Sequence, residues 1–210
     1  MTQSSSPPSL LVVGLVGGIA SGKSHVASLL EQRGAAIIDA DQLAHAVLRR
    51  PLNVRRLRQL FGPQIVDAEE NVNRQELAQL VFGDEAQAIH RRSQLEGLVH
   101  PQIYAVAVKQ LEELRQRTPL PSLVVIDAPL LLEAGWAPLC DLILFVDAPL
   151  EIRQQRAAQR GWDKQDLQAR EAAQWSLDRK RQEATHFIDS TADGPHLEAA
   201  LDRLLAQLSS

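Results

Sequence analysis

The chain has 210 residues, enough for one buried core or for a core with an insertion. Its net charge of −4 gives no overall basic field of the kind typical of nucleic-acid-binding proteins. No apolar run approaches the ~18 residues needed to cross a membrane, so we expect neither nucleic acid nor a membrane as a partner. The single cysteine, Cys140, excludes an intrachain disulfide and favours a reducing compartment such as the cytoplasm.

Residues 1–9 are polar and contain two consecutive prolines. They lack the basic start and the long apolar segment of a secretory signal peptide. The composition therefore predicts a flexible leader that takes no part in the fold.

The segment 17–24, GGIASGKS, fits the phosphate-binding pattern G-x-x-x-x-G-K-[ST] at every fixed position. Glycines let successive backbone N–H groups point at phosphate oxygens, and the start of the following helix adds partial positive charge. In this pattern Lys23 reaches the β- and γ-phosphates, and the Ser24 hydroxyl binds Mg²⁺. The context agrees, because an apolar run at 10–16 predicts a buried strand and 24–33 predicts a helix.

Carboxylates follow two of the predicted strands. The strand at 35–39 ends in Asp39 and is followed by Asp41, and the strand at 123–127 ends in Asp127. In doubly wound sheets ligands bind beyond the carboxyl ends of the strands. These side chains are therefore candidates for substrate or Mg²⁺ binding, with capping of the next helix as the structural alternative.

The stretch 42–117 is predicted to be almost entirely helical, with a break at His100-Pro101 between helices at 85–99 and 101–117. A plain crossover between parallel strands needs only ~30 residues. We therefore predict an inserted helical domain that holds the acceptor substrate.

Further strands are predicted at 142–147 and 185–189, with a closing helix at 195–208. Between these strands lies a pair of arginine-bearing helices at 150–160 and 165–183. The first helix carries Arg153, Arg156 and Arg160 on one face. Guanidinium groups suit the neutralisation of phosphoryl charge, so the pair is predicted to form a lid over a nucleotide, although an exposed charged hairpin is the alternative.

A GTPase would need D-x-x-G and N-K-x-D after later strands, and neither string occurs in the sequence. Another small-molecule kinase, such as one of the shikimate or gluconate type, and a non-catalytic nucleotide-binding protein stay open as alternatives. One cysteine with scattered histidines cannot supply the usual zinc ligand sets.

Five motifs in order closely resemble the dephospho-CoA kinase family, over about residues 10–208. They are GLVGGIASGKS at 14–24, IDADQLAH at 38–45, LVHPQI at 98–103, DAPLLLE at 127–133 and VDAPLEIRQQRAAQR at 146–160. The resemblance implies a five-stranded parallel doubly wound α/β sheet of the phosphate-loop type. The core would comprise 10–41, 118–150 and 184–210, with a CoA-binding insert at 42–117 and a lid at 151–183.

The resemblance also implies the reaction: transfer of phosphate from ATP, with Mg²⁺, to the ribose 3′-hydroxyl of dephospho-CoA. The chain would act as a monomer or small homo-oligomer. The implied catalytic residues are Asp41, Lys23 and Arg156. The implied ATP-binding residues are Gly17, Gly18, Ile19, Ala20, Ser21, Gly22, Lys23, Ser24, His25, Arg156 and Arg160. Acceptor binding is implied for Asp41, His100, Asp127 and Leu130, and metal binding for Ser24 and Asp127.

The sequence departs from the family pattern at four positions. Val16 stands where Thr is frequent, Ala20 where Gly is frequent inside the loop, Arg153 where Gln is frequent, and Ser190 in place of a familiar Asn. Ala20 would need either a negative φ or a small strain, so we expect a modest change and not a loss of function. The Ser190 difference removes the basis for assigning an adenine contact there.

Overall fold

A computed structural model of the chain describes residues 10–81, 85–191 and 194–208. The predicted leader, residues 1–9, lies outside the described residues.

Five strands form one parallel sheet in the order β2-β3-β1-β4-β5. Their bounds are β1 Val12–Gly17, β2 Ala36–Asp39, β3 Val124–Asp127, β4 Leu142–Asp147 and β5 His186–Asp189. The predicted five-stranded parallel α/β fold is confirmed. This order puts the phosphate-loop strand β1 between β3 and β4, at the centre of the sheet.

The three central strands are buried on both faces, as expected for a parallel sheet covered by helices, whereas the edge strand β5 buries only Ile188. On one face, alternate residues of four strands join helices α1 and α9 in a core whose strand members include Leu15, Leu144 and Ile188. The intervening residues, such as Val12 and Phe145, are equally buried. The sheet is therefore a rigid base from which the loops at its carboxyl edge emerge.

The described residues contain nine α-helices. Their bounds are α1 Lys23–Gln32, α2 Ala40–Leu48, α3 Pro51–Phe61, α4 Arg74–Val81, α5 Ala86–Arg115, α6 Leu150–Ala158, α7 Lys164–Ala172, α8 Leu177–Glu183 and α9 Gly194–Leu208. None of them combines the length and the apolar composition that crossing a bilayer requires.

The predicted break at His100-Pro101 is wrong. Helix α5 is a single helix of 30 residues that contains Pro101. Pro101 has no N–H to donate to the carbonyl of Gly97, which normally ends or kinks a helix. A buried stripe continues on both sides at intervals of four residues, through Val99, Ile103, Ala107 and Leu111. Packing of this stripe stabilises the helix across the one missing hydrogen bond.

The second lid helix was predicted as one element over 165–183 and is two, α7 and α8, joined by a turn at 173–176. Ser176 caps α8 by accepting a hydrogen bond from the backbone N–H of Arg179. Asp163 forms a capping box with Asp166 at the start of α7. We call residues 173–176 the α7–α8 turn.

The chain divides into two compact units, one made of the chain up to Asp39 and from Gln110 onward, the other of Ala40–Lys109. The first unit contains the whole sheet. The second is helical and has a core of its own, in which Leu57, Phe61 and Ile65 pack against Leu77 and Val81.

Candidate active site

The phosphate-binding loop runs from the end of β1 at Gly17 to the start of α1 at Lys23. Gly17 has φ 146° and Gly22 has φ 98°, both in the region that favours glycine. Gly22 is the N-cap of α1, and no side chain in the described part caps this helix. The first backbone N–H groups of α1 are therefore available to an anion.

Ala20 lies inside the loop with φ 59°, a left-handed conformation that is costly for a residue with a side chain. Of the two outcomes expected for this position, strain at a positive φ is the one observed. The side chain is buried and packs with Ala157 of α6 and Leu167 of α7. Apolar burial of the methyl group offsets part of the backbone strain.

Lys23 lies at the start of α1 and folds back over the loop. Its Nζ donates to the carbonyl oxygens of Gly17 at 3.2 Å and Gly18 at 3.0 Å. Burial, as the largest cause, and the neighbouring ammonium of Lys180 lower the pKa of Lys23 to about 8, while the Asp127 carboxylate acts in the opposite direction. The ammonium is thus held at the Gly17–Gly18 end of the loop, near a carboxylate.

Two of the predicted carboxylates lie at the carboxyl edge of the sheet. Asp39 and Asp127 are direct register partners at the ends of β2 and β3. Asp41 lies in the first turn of α2, where it is exposed. Ser24 is exposed in the first turn of α1.

Arg156, on α6, is bound to the loop itself. Its guanidinium donates to the Ser21 carbonyl at 2.9 Å and to the Ser190 carbonyl at 2.8 Å, and more weakly to the Ala20 carbonyl at 3.4 Å. The Ser190 hydroxyl accepts from Arg156 at 3.0 Å and donates to the Ser21 carbonyl. Ser190 is therefore a buried link between the end of β5 and the loop.

A cavity of about 260 Å³ opens beside this end of the loop, and Gln159 is also part of its lining. It brings together six of the predicted ATP-binding residues: Ala20, Gly22, Ser24, His25, Arg156 and Arg160. The guanidinium of Arg160 lies 5.7 Å from the ring centre of Trp162, which Arg170 approaches to 4.2 Å. Such cation–π contacts orient the lid arginines.

Other predicted residues lie elsewhere in the fold. Asp41 and His100 belong to the second unit, on α2 and α5. Leu130 is half-buried in the segment that follows β3. No group of three or more His, Cys, Asp or Glu side chains within the described ranges could by itself hold a metal ion.

Sequence reasoning missed two charged pairs near the loop. Arg153 is buried, packs against Gly18 and forms an ion pair with Glu171 of α7. Lys180 of α8 is 2% exposed and pairs with Glu133 at 3.1 Å. Both pairs join residues far apart in the chain, and the only sequence signal was a charge inside an otherwise ordinary polar helix.

Known proteins of one family match this chain over nearly its full length. The dephospho-CoA kinase family model matches residues 11–195. A dephospho-CoA kinase from Rhodopirellula baltica is 34% identical over 208 residues, which cover 99% of this chain and 95% of the relative. One from Deinococcus radiodurans is 38% identical, with 97% and 95% covered.

Solved structures share the fold. A crystal structure from Thermus thermophilus is 36% identical and superposes with a TM-score of 0.77, covering 96% of this chain and 99% of the other. A shikimate kinase from Acinetobacter baumannii, at 16% identity and a TM-score of 0.51 with 96% and 94% covered, shares the fold alone. On the family model and on relatives matched over nearly their whole length, the chain belongs to the dephospho-CoA kinase family.

Proposed function

We propose that the protein transfers the γ-phosphate of ATP to the ribose 3′-hydroxyl of dephospho-CoA, which gives coenzyme A and ADP. This is the last step of coenzyme A synthesis. The observation that carries the proposal is the full-length match to relatives named dephospho-CoA kinase, since it includes both the phosphate loop and the helical unit. In this proposal the enzyme works in the cytoplasm, the compartment expected from its single cysteine, and acts as a monomer or small homo-oligomer.

The phosphate-binding loop supplies most of the binding of ATP. Backbone N–H groups over 17–24 face the β- and γ-phosphates, and the α1 N-terminus adds its partial positive charge. The Ser21 hydroxyl is buried, and no hydrogen-bond partner for it lies within the described residues. An unsatisfied buried hydroxyl inside a phosphate loop supports a hydrogen bond to a phosphate oxygen.

Lys23 neutralises charge on the β- and γ-phosphates as it develops. Its present bonds to two loop carbonyls are replaceable, because an ammonium has three donors and a phosphate is the stronger acceptor. A bound triphosphate would hold the ammonium in its charged form despite burial.

Mg²⁺ fits the donor set, because a hydroxyl, a carboxylate and phosphate oxygens are the hard ligands it prefers. Ser24 and Asp127 would hold it together with the nucleotide, and the Asp127 carboxylate is already close enough to affect the pKa of Lys23. When bound, the ion neutralises charge on the β- and γ-phosphates.

The lid arginines line the cavity in which the nucleotide would lie. Arg160 faces it directly, and Arg156 anchors α6 to the loop while contributing its positive charge. Phosphoryl transfer depends mainly on positioning and on electrostatic stabilisation of the equatorial oxygens. Closure of the lid over ATP excludes water and suppresses hydrolysis.

Asp41 orients the acceptor hydroxyl and takes its proton late in the transfer. An aspartate is a weak base towards an alcohol, and its pKa is ordinarily ~3.9, so orientation outweighs basicity. His100, Asp127 and Leu130 contribute to acceptor binding in this proposal.

One assay separates the candidates. Release of ADP is measured with ATP and, in turn, dephospho-CoA, shikimate, gluconate, nucleoside monophosphates or no acceptor. Stimulation by dephospho-CoA alone is expected, together with a product phosphorylated at the ribose 3′-oxygen. Stimulation by another acceptor, or by none, would contradict the proposal and favour another small-molecule kinase or a non-catalytic nucleotide-binding protein.

A further inference from the structure

A second cavity, of about 170 Å³, lies on the other flank of the phosphate-binding loop. The loop contributes Gly18 and Ile19 to its lining, and the lid contributes Glu171, Gln174 and Trp175. Gly18 and Ile19 are predicted ATP-binding residues, whereas the α7–α8 turn was predicted only as part of the second lid helix. Six other predicted ATP-binding residues line the first cavity.

The position of the Lys23 ammonium indicates which end of the phosphate-binding loop faces the γ-phosphate. Its ammonium, which reaches the β- and γ-phosphates in this motif, lies on the carbonyls of Gly17 and Gly18. Gly18 lines the second cavity, whereas Gly22 and Ser24 line the first. The second cavity therefore adjoins the end of the loop at which the Lys23 ammonium lies, a side from which an acceptor can approach the γ-phosphorus in line with the leaving oxygen.

The charged groups at this cavity are already paired. Glu171 is bound by the guanidinium of Arg153, which also donates to the Ala148 carbonyl at 3.2 Å. The cavity wall thus offers no free charge from this pair to an ionic ligand. An aromatic ring, that of Trp175, is the largest side chain of the lining. This combination suits a nucleoside better than a phosphate.

Trp175 is held in place from three directions. Its backbone N–H donates to Oε1 of Glu133 at 2.8 Å. The Arg179 guanidinium stacks on its ring at 3.2 Å from the ring centre. The adjacent Gln174 accepts a hydrogen bond of 2.7 Å from Lys180, whose ammonium also pairs with Glu133 at 3.1 Å. The α7–α8 turn is thereby tied to the segment after β3.

The Glu133–Lys180 pair joins helix α8 to the segment after β3 at a cost in stability. Lys180 is almost completely buried, and a buried ion pair contributes little net stability. Oε2 of Glu133 is buried without a hydrogen-bond partner in the described part of the chain, and an unsatisfied buried acceptor destabilises the fold. By contrast, Arg181 of the same helix is joined to Asp147 by an exposed bidentate pair at 2.7 and 2.8 Å. A purely structural tether would not need the buried charges.

We propose that the second cavity is the subsite for the adenosine end of the acceptor, that Trp175 stacks on its adenine, and that Glu133 and Lys180 are positioning residues that hold this wall against the loop. The inference rests on the proposed function, because it deepens the assignment of the acceptor.

The test compares steady-state constants of variants with those of the wild-type enzyme, with dephospho-CoA and ATP varied separately. Trp175→Ala is expected to raise the KM for dephospho-CoA by about 5- to 100-fold, since base–aromatic stacking is worth about 1–3 kcal/mol. The KM for ATP should stay within about twofold. Trp175→Phe, which keeps a ring, should recover most of the loss.

Phe187→Leu is the matched control, because this aromatic ring of β5 is 59% exposed and is part of the lining of neither cavity. It should leave the KM for dephospho-CoA unchanged. Glu133→Gln keeps an oxygen for the Trp175 N–H and should raise the acceptor KM less than Trp175→Ala. If Glu133→Gln unfolds, the double variant Glu133→Met, Lys180→Met replaces it in the test. Removing both charges together leaves no unpaired buried charge and is therefore less destabilising.

A second readout uses binding alone. Dephospho-CoA should change the tryptophan emission of the wild-type enzyme, and the Trp175→Phe variant should lose that change. An unchanged acceptor KM in Trp175→Ala, or an equal rise in both KM values, would overturn the inference while leaving the proposed function intact. Failure of the wild-type enzyme to turn over dephospho-CoA would overturn both.

Discussion

Replacing Gly17 by alanine would put a methyl group where the phosphate-binding loop passes closest to the sheet. The new Cβ would lie well inside 3.0 Å of the Val146 carbonyl oxygen, a backbone atom of β4 that cannot rotate away. The loop would therefore have to retreat by about half an ångström, and a misplacement of about 1 Å at a reacting centre can cost ~100-fold in rate. We expect kcat/KM to fall by about 10- to 100-fold.

The same substitution also carries a backbone cost. Gly17 has φ 146°, which a residue with a side chain adopts only with strain, so we expect a loss of about 2 kcal/mol in the free energy of unfolding. Gly34→Ala is the matched control. Gly34 has φ 87°, yet a Cβ there would meet only Ser122 at 3.6 Å, away from the loop.

The control should lose about 1 kcal/mol of stability and no activity. Urea denaturation gives the free energy of unfolding, and ADP release coupled to dephospho-CoA phosphorylation gives kcat and both KM values. If Gly17→Ala and Gly34→Ala have the same kcat/KM, the close approach of the loop to β4 is not what places the phosphates, and the reasoning is refuted.

Four further predictions concern other sites. Asp41→Asn should lower kcat by about 100-fold or more with little change in the KM for ATP, and near wild-type turnover would contradict its role. The kcat/KM for ATP should fall above about pH 8, because the ammonium of Lys23 has a pKa of about 8 and its deprotonation removes a charge that the phosphates need; a flat profile to pH 10 would contradict this. Cys140, whose burial raises its thiol pKa to about 12, should react with iodoacetamide at pH 8 only after unfolding, as mass spectrometry would show. Pro101→Ala should raise the melting temperature, since it restores the N–H that can bond to the Gly97 carbonyl; a lower melting temperature would contradict the account of α5.

The sheet was predictable because each buried parallel strand is a short apolar run ended by a polar residue. The phosphate-binding loop was predictable because its chemistry demands fixed residues at fixed spacing. The two helix errors have opposite causes. Pro101 is a strong local signal that the buried stripe of α5 overrides, whereas the α7–α8 turn lacks glycine and proline and depends on the Ser176 cap and on Glu133.

The partners of the site residues were not predictable from the sequence. Arg156 could be recognised as a lid arginine, but its bonds to Ser21 and Ser190 join positions 135 and 34 residues away. In the sequence, Lys180 is one of several charges on a polar helix, and nothing there indicates that its side chain is buried. Sequence patterns indicate which elements form, while the pairing of charges between elements depends on their packing.

The hydrogen bonds of Arg156 bear on how a bound nucleotide stabilises the protein. Its hydrogen bonds within the described residues go to uncharged oxygens, and Arg160 lines the same cavity. A bound nucleotide would add negative charge beside these two cations, so it should stabilise the folded structure as well as serve as a substrate. At a hundredfold excess over its dissociation constant, a ligand adds about 2.7 kcal/mol to the free energy of unfolding. Bound ATP should therefore slow cleavage by proteases that act on the unfolded form of the protein.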